Sequence, residues 1–153
     1  MRSKRVIYWI VGIPVVMLVA TLGLVFASWR RPEVGLVDGR LRPCASSDNC
    51  VCSAATGAAA IDPLRFEGSA DDAWARLRTL LSDRQNCTVV TDNDEYLHAE
   101  FVTPLLRFVD DVEFHLEPTA SVIHIRSESR VGKSDLGANR RRLEELRAAW
   151  QAQ

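Results

Sequence analysis

The chain has no excess of charge of either sign. Its 153 residues include 19 Lys and Arg against 20 Asp and Glu, a formal net charge of -1. Proteins that bind nucleic acids generally neutralise many phosphates and show a strong basic excess. We therefore expect no nucleic-acid partner, and the charged residues must be interpreted locally.

Known catalytic motifs are also missing. The sequence has no nucleophile elbow, no Walker loop and no HExxH, and no serine or cysteine stands beside an evident base. It lacks the paired C-x2-C loops that are typical of zinc fingers. These absences favour a non-enzymatic protein without a cofactor, with a metal-dependent hydrolase as an alternative.

One long uncharged run is present, at residues 6–29, between the basic start MRSKR and two further arginines. About twenty apolar residues are needed to cross the hydrocarbon core, and Trp9 and Trp29 lie where interfacial aromatic residues belong. The run predicts a transmembrane helix in an anchor at residues 1–31, with the lipid bilayer as partner. A cleaved signal peptide is the alternative, because residues 25–27 resemble a cleavage site.

Four cysteines occur, and three of them crowd the polar segment PCASSDNCVCS after the anchor. A disulfide between Cys44 and Cys50, with Cys52 and Cys87 paired or free, suits an oxidising compartment. Reduced thiols in a cytosolic domain and a zinc site are the alternatives. Because basic residues flank both ends of the hydrophobic run, the cysteines decide the orientation. They indicate a single-pass protein with its C-terminal domain outside the cytoplasm, on the periplasmic side of the inner membrane.

The remaining chain predicts an α+β domain at residues 61–153, after a tether and cysteine-bearing arm at residues 32–60. Ser69 caps a helix, and a closing helix is capped by Ser134 or Asp135. Between the helices, alternating apolar residues predict an antiparallel meander. We expect a two-layer domain in which two helices pack on one face of the sheet. The apolar positions expected to form this core are Ala73, Trp74, Leu77, Leu80, Leu81, Leu97, Ala99, Phe101, Phe108, Val112, Phe114, Ile123, Ile125, Leu143, Leu146 and Trp150.

The opposite, exposed face of the sheet is expected to be polar. Four-residue loops at residues 104–107 and 117–120 would set the register. Glu100 would then face Asp111, which faces Arg126. In the same register, His98 would face Glu113, which faces His124.

Two interpretations of this face remain open. His98, Glu113 and His124 resemble a zinc first shell or an acid–base group, and His115 lies on the same face. The alternative is a ladder of cross-strand polar pairs.

Asp110 differs from its neighbours because its position in the alternation puts a carboxylate on the packed face. A buried carboxylate needs partners. We expect Ser127 across from it, and an ion pair with the region of Arg130 or Arg140 that locks the sheet to the closing helix. A carboxylate held for a ligand or metal is the alternative.

The most basic stretch is RSESRVGKSDLGANRRR at residues 126–142. It joins the last strand to the closing helix, and turn amides and helix N-termini attract anions. The residues predicted to bind an anion or a partner are Arg126, Arg130, Lys133 and Arg140. Pairing with nearby carboxylates is the alternative.

Several motifs together resemble the bacterial and plastid family labelled domain of unknown function 1499. They are PCASSDNCVCS, IDPLRF, EYLHAEF, RFVDDVEF and RSESRVGKSDLGANRRRLEELR, and the resemblance covers residues 42–147. The acidic strand residues Asp110, Asp111 and Glu113 fall on the family pattern. Asp48 and Cys52 depart from it, since proline and serine are usual there.

The resemblance implies membrane attachment or export and no known activity, cofactor or substrate. We therefore expect an envelope domain that binds a partner protein or an anionic ligand through the arginine-rich turn. A structural scaffold and a metal-dependent hydrolase remain the alternatives.

Overall fold

A computed structural model describes residues 2–46 and 48–152, with side chains from residue 9 onward. The basic side chains at positions 2, 4 and 5, which enter the orientation argument, lie outside this part. Helix α1, Arg2–Ser28, contains the apolar segment Trp9–Ser28 with a mean hydropathy of 2.6. Its length and composition allow it to cross a membrane.

The sheet is antiparallel, with strand order β3-β8-β7-β6-β5, and β4 also pairs with β8. The strands are β3 Cys50–Cys52, β4 Leu64–Arg65, β5 Cys87–Asp92, β6 Tyr96–Val102, β7 Val109–Glu117 and β8 Val122–Ser129. Strands β1, Leu36–Val37, and β2, Arg40–Leu41, form a separate hairpin. The predicted meander is confirmed.

Two helices cover one face of the sheet, α2 at Ala70–Ser82 and α3 at Ala138–Gln151. Ser69 caps α2 as predicted, because its hydroxyl accepts from the Asp72 amide at 3.0 Å. The predicted apolar stripes of both helices are buried with the inward residues of the strands. The α+β prediction is therefore confirmed. Only Phe108 differs, because it lies just outside β7 and is half-buried.

The opposite face of the sheet is not exposed, so that prediction is wrong. Residues 29–46, here called the arm, lie against this face. The Gly35 amide donates to Glu113 Oε1 at 2.9 Å, and Leu41 and Cys52 pack with Tyr96 in a second apolar cluster. The covered side chains include His98, 2% exposed, and Glu113, 0% exposed.

The predicted register is half right. Between β6 and β7 it is confirmed, with Glu100 opposite Asp111 and His98 opposite Glu113. Between β7 and β8 it is wrong by two residues, so that Glu113 lies opposite Arg126. The cause is the connection, which is Pro118–Ala120 followed by Ser121 rather than residues 117–120. A two-residue shift keeps each side chain on its face and changes only its partner.

Helix α3 begins later than predicted. Its N-cap is Gly137, with a φ of 78° that favours glycine. Asp135 still stabilises the start of the helix, because its carboxylate accepts hydrogen bonds from the backbone amides of Gly137 at 2.8 Å and Asn139 at 2.7 Å. The connection from β8 is therefore an ordered turn at residues 130–137.

Candidate functional site

Three carboxylates from neighbouring strands lie buried beneath the arm. Strand alternation places Glu100 of β6 and Asp111 and Glu113 of β7 on this face. They are 8%, 3% and 0% exposed. Because buried charge is costly without a partner, each carboxylate should be matched by a nearby cation or donor.

Arg130 supplies the first match at the point where β8 passes into the turn. Its guanidinium donates to Asp111 Oδ2 through Nε at 2.8 Å and to Asp111 Oδ1 through Nη2 at 2.6 Å. Nη2 also donates to Glu100 Oε1 at 2.6 Å. The fork geometry of arginine suits this arrangement.

The same guanidinium reaches the end of α1. Its Nη1 donates to the backbone carbonyl of Ser28 at 3.0 Å. Ser28 is itself buried, and its hydroxyl accepts from the Val109 amide at 3.2 Å. Just beyond, Arg31 Nε donates to Glu100 Oε1 at 2.8 Å.

His98 completes this group, with Nε2 2.6 Å from Asp111 Oδ1. We call Arg31, His98, Glu100, Asp111 and Arg130, with Ser28, the Arg130 network. It joins the sheet, the turn and the end of α1.

The Arg130 network keeps its carboxylates charged. Burial acts to raise the pKa of Asp111, but the hydrogen bonds from Arg130 and His98 outweigh it, and the pKa is lowered. The pKa of Glu100 is lowered in the same way, against burial, by Arg31 and Arg130. Burial lowers the pKa of Arg130, yet bonding to both carboxylates raises it overall. Asp111, Glu100 and Arg130 are therefore ionised at neutral pH.

Glu113, the third buried carboxylate, has partners outside the Arg130 network. Its Oε2 accepts from Arg126 Nη1 at 2.7 Å, and its Oε1 accepts from the Tyr96 hydroxyl at 2.7 Å and from the Gly35 amide. Arg126 also pairs with Glu128. Burial, with the adjacent Glu113 charge, raises the pKa of Tyr96 well above its usual range. The phenol therefore remains a donor.

Asp110 forms the predicted ion pair to the closing helix, but through a different arginine. Arg142 donates to its carboxylate, and also to Ser127 Oγ at 3.0 Å and Asn139 Oδ1 at 2.6 Å. Ser129, not Ser127, lies opposite Asp110. The expectation of Arg130 or Arg140 is corrected because Arg142 is the α3 arginine that points at β7.

The four cations predicted to bind an anion do not converge. Arg126 and Arg130 are held by internal carboxylates. Arg140 donates to the carbonyls of Ala58 at 2.7 Å and Ala60 at 2.8 Å. Lys133 is exposed on the turn.

The predicted zinc set does not converge either. His98 contacts Asp111, and Glu113 contacts Arg126. His124 lies 2.8 Å from Glu117 Oε2 through Nε2. Within residues 2–46 and 48–152, no group of three or more His, Cys, Asp or Glu could hold a metal ion.

His124 instead borders an open cleft of about 490 Å³ at the other end of the sheet. It stacks on His115 with ring centroids 6.1 Å apart, and its Nδ1 lies 3.1 Å from Ser53 Oγ. Burial, and then the His124 charge, lowers the pKa of His115. Charged residues at the cleft are Arg40, Glu95 and Glu117. We call this the distal cleft.

The cysteine loop lies beside the arginine-rich turn. Cys44 and Cys50 form a disulfide, as predicted, while Cys52 and Cys87 are free thiols. The carbonyl of Asn49 accepts from the Ser129 amide at 3.0 Å and from Asn139 Nδ2 at 2.9 Å. The disulfide thus closes a loop that fixes the end of β8.

Sequence reasoning missed the contributions of Ser28, Arg31, Tyr96 and Arg142. The period-two alternation of β6 does place Tyr96 with His98 and Glu100, so that signal was present. Nothing local in the sequence indicates that Ser28 and Arg31 return to the sheet.

Comparison with known proteins places these elements in one family. The profile described as Protein of unknown function (DUF1499) matches residues 40–150. That range contains the cysteine loop, the acidic strand and the arginine-rich turn. No curated protein matches the chain significantly. The match spans well over half of the chain and agrees with the motifs noted in the sequence, and the protein therefore belongs to the DUF1499 family.

Proposed function

We propose that this protein is a single-pass, extracytoplasmic envelope domain without catalytic activity, mounted in a fixed orientation on its membrane helix. In this orientation the distal cleft faces away from the bilayer and is offered to a partner protein. One observation carries the proposal: Arg130 binds the Ser28 carbonyl of α1 and the Asp111 and Glu100 carboxylates of the sheet together.

The direction of the strands supports the orientation. Val109, at the start of β7, contacts Ser28, whereas Glu117, at its end, lines the distal cleft. A nine-residue strand spans about 30 Å. The cleft is therefore about that far from the end of α1.

The disulfide supports the compartment, because such bonds persist in oxidising environments. The 20-residue span supports an anchor that is retained, because the hydrophobic region of a signal peptide is usually about 7 to 15 residues long. The internal pairing of the arginines supports a structural role for the family motif rather than a catalytic one.

Distance measurements between spin labels test the fixed mounting. Nitroxides are placed at Met17→Cys in α1 and at Thr119→Cys beside the distal cleft, in a Cys87→Ser background. The full chain is reconstituted in nanodiscs. We expect one narrow distance distribution that broadens in Arg130→Ala. Arg65→Ala, at an exposed arginine of β4 outside the network, is the control and should leave the distribution narrow.

If Arg130→Ala fails to fold, Arg31→Ala serves as the second variant, because Arg31 is an exposed member of the network. A broad distribution in the parent protein would contradict the mounting. An unchanged narrow distribution in a folded Arg130→Ala variant would contradict the role of Arg130 in the mounting.

Topology has its own test. In sealed, right-side-out membrane vesicles, a membrane-impermeant maleimide should label Thr119→Cys without detergent, and the labelled protein should keep the mass of the uncleaved chain. Labelling only after detergent would place the domain in the cytoplasm and reject this part of the proposal.

A further inference from the structure

Two leucines of the globular body stand out by their exposure. Leu105 is 89% exposed and Leu136 is 85% exposed, more than any other large hydrophobic side chain that the structure describes. Leu106, next to Leu105, is 47% exposed. We call these three residues the apolar rim. Leaving such side chains in water is unfavourable, and exposed apolar side chains that share one surface indicate a contact site.

The rim lies beside α1, although its residues come from separate loops. The Trp29 indole, just after α1, donates to the Arg107 carbonyl in the loop that carries Leu105, at 3.2 Å. On the other side, Leu136 lines a cavity of about 250 Å³ together with Leu24 and Phe108. Both loops therefore pack near the last turns of the helix.

The position of Leu24 at this cavity gives the depth. Leu24 precedes Ser28 by one helical turn, about 6 Å along the axis. It belongs to the apolar segment Trp9–Ser28, whose window is unburied by the rest of the chain. A lipid leaflet around that segment would reach the level of the cavity and of Leu136.

Positively charged side chains lie near the apolar rim, as expected for a surface at the membrane interface. Arg107 and Lys133 are exposed on the two rim loops, and Arg30 is exposed at the end of α1. Cationic side chains at the edge of an apolar surface match lipid phosphates at the interface. Trp29, half exposed, occupies the same level and is a typical interfacial residue.

From these observations we infer that the apolar rim inserts into the leaflet from which α1 emerges, with Lys133 and Arg107 at the level of the phospholipid phosphates. The occupant of this surface is the phospholipid of the protein's own membrane. The inference rests on the membrane anchoring in the proposed function and adds a second point of contact. The domain is then held against the bilayer as well as on the helix.

Collision accessibility of spin labels tests the inference in the full chain. Single nitroxides are introduced by Leu105→Cys, Leu136→Cys, Thr119→Cys and Met17→Cys in the Cys87→Ser background. The proteins are reconstituted in vesicles of phosphatidylethanolamine and phosphatidylglycerol. Oxygen partitions into lipid and a nickel chelate stays in water. The labels at residues 105 and 136 should therefore collide with oxygen in preference to nickel, and their depth should be shallower than that of the label at residue 17. The label at residue 119 should collide with nickel in preference to oxygen.

The outcomes separate the two proposals. If the labels at residues 105 and 136 are in water like the label at 119, while the label at 17 is in lipid, the rim does not insert and the anchoring stands. If the label at residue 17 is itself in water, the membrane anchoring fails, and the inference fails with it.

A paired substitution adds a control for the domain fold. Leu105→Asp should move the label at 136 toward the aqueous range, because the two sites insert together. Val37→Asp, at an exposed apolar position of the β1–β2 hairpin, should leave that label in lipid. Equal responses to the two substitutions would overturn the inference.

Discussion

At the scale of single residues, the arginines of the family motif are defined by their partners. Arg126 and Arg130 lie in one strand and its following turn, yet each ends in a separate cluster of buried carboxylates. The stretch looked like a ligand site because the sequence shows the arginines together. Apart from Glu128, the carboxylates that match them come from β6 and β7, which are distant in the chain.

Arg130→Ala should destabilise the protein strongly. The change removes the guanidinium that Asp111 and Glu100 share and leaves them only His98 and Arg31 as partners in the network. Breaking a buried ion pair costs about 3 to 5 kcal/mol. Urea unfolding of the full chain in detergent measures the effect. Lys133→Ala, three residues along the same turn, should stay within about 0.5 kcal/mol of the parent. A similarly small effect of Arg130→Ala would show that the Arg130 network contributes little to folding.

Stability should fall in acid. The pKa values of Asp111 and Glu100 are lower in the folded protein than in the unfolded chain. Their contribution is therefore fully present above the unfolded pKa, about 4, and is lost as pH falls through the folded values. Thermal melts between pH 7 and pH 3 should show this loss, with a shallower slope in Asp111→Asn. Glu67→Gln, at an exposed carboxylate, should keep the parent slope, and a parent slope in Asp111→Asn would disprove the assignment.

At the scale of elements, the cysteine loop stabilises the edge of the sheet. The Cys44–Cys50 disulfide closes a loop with a sequence separation of 6, and the carbonyl of Asn49 in that loop receives donors from β8 and α3. Loop closure of this length is worth about 2 kcal/mol. Cys44→Ser with Cys50→Ser should lower the free energy of unfolding by that amount, measured by urea denaturation. Cys87→Ser is the control, and an equal loss there would indicate a general thiol effect.

Helix α3 is tied to the sheet by polar contacts as well as by its apolar stripe. Arg142 joins Asp110 of β7 to Ser127 of β8. A double-mutant cycle with Asp110→Asn and Arg142→Met should give a coupling free energy of about 1 to 3 kcal/mol. Independent, additive effects would show that the pair does not couple α3 to β7. Arg141→Met, whose guanidinium donates to the nearby Leu136 carbonyl, should couple to Asp110→Asn by less than about 0.5 kcal/mol.

At the scale of the whole molecule, the arm and the end of α1 complete the domain. Ser28 and Arg31 contact Arg130 and Glu100. A chain of residues 33–153 loses both contacts, while one of residues 27–153 keeps them. A hydrogen bond to a charged group is worth about 1.5 to 3 kcal/mol, and an exposed ion pair adds less than about 1 kcal/mol. The shorter chain should therefore unfold at lower urea concentration. Equal midpoints would show that the domain is independent of α1.

How much of this architecture is predictable differs between its parts. The apolar run, the N-cap of α2, the inward stripes and the β6–β7 register follow from local patterns, because hydrophobic periodicity and turn chemistry act over a few residues. The prediction of the β7–β8 partners was wrong because the turn, Pro118–Ala120 followed by Ser121, lies one residue further along the chain than the predicted loop at residues 117–120. The prediction of an exposed sheet face was wrong because no periodic pattern in residues 29–60 shows where that segment packs.

The sequence by itself determined the membrane-length helix, the α+β class and the family, and it favoured the Cys44–Cys50 pairing over reduced thiols or zinc, since each depends on composition, spacing or a local motif. Only the tertiary structure decided which charges meet. It brought Arg130 to Asp111 and Ser28, gave Arg142 to Asp110, and placed the loops that carry Leu105 and Leu136 near the end of α1. These contacts join residues tens of positions apart, and their energy depends on burial, which no local pattern contains.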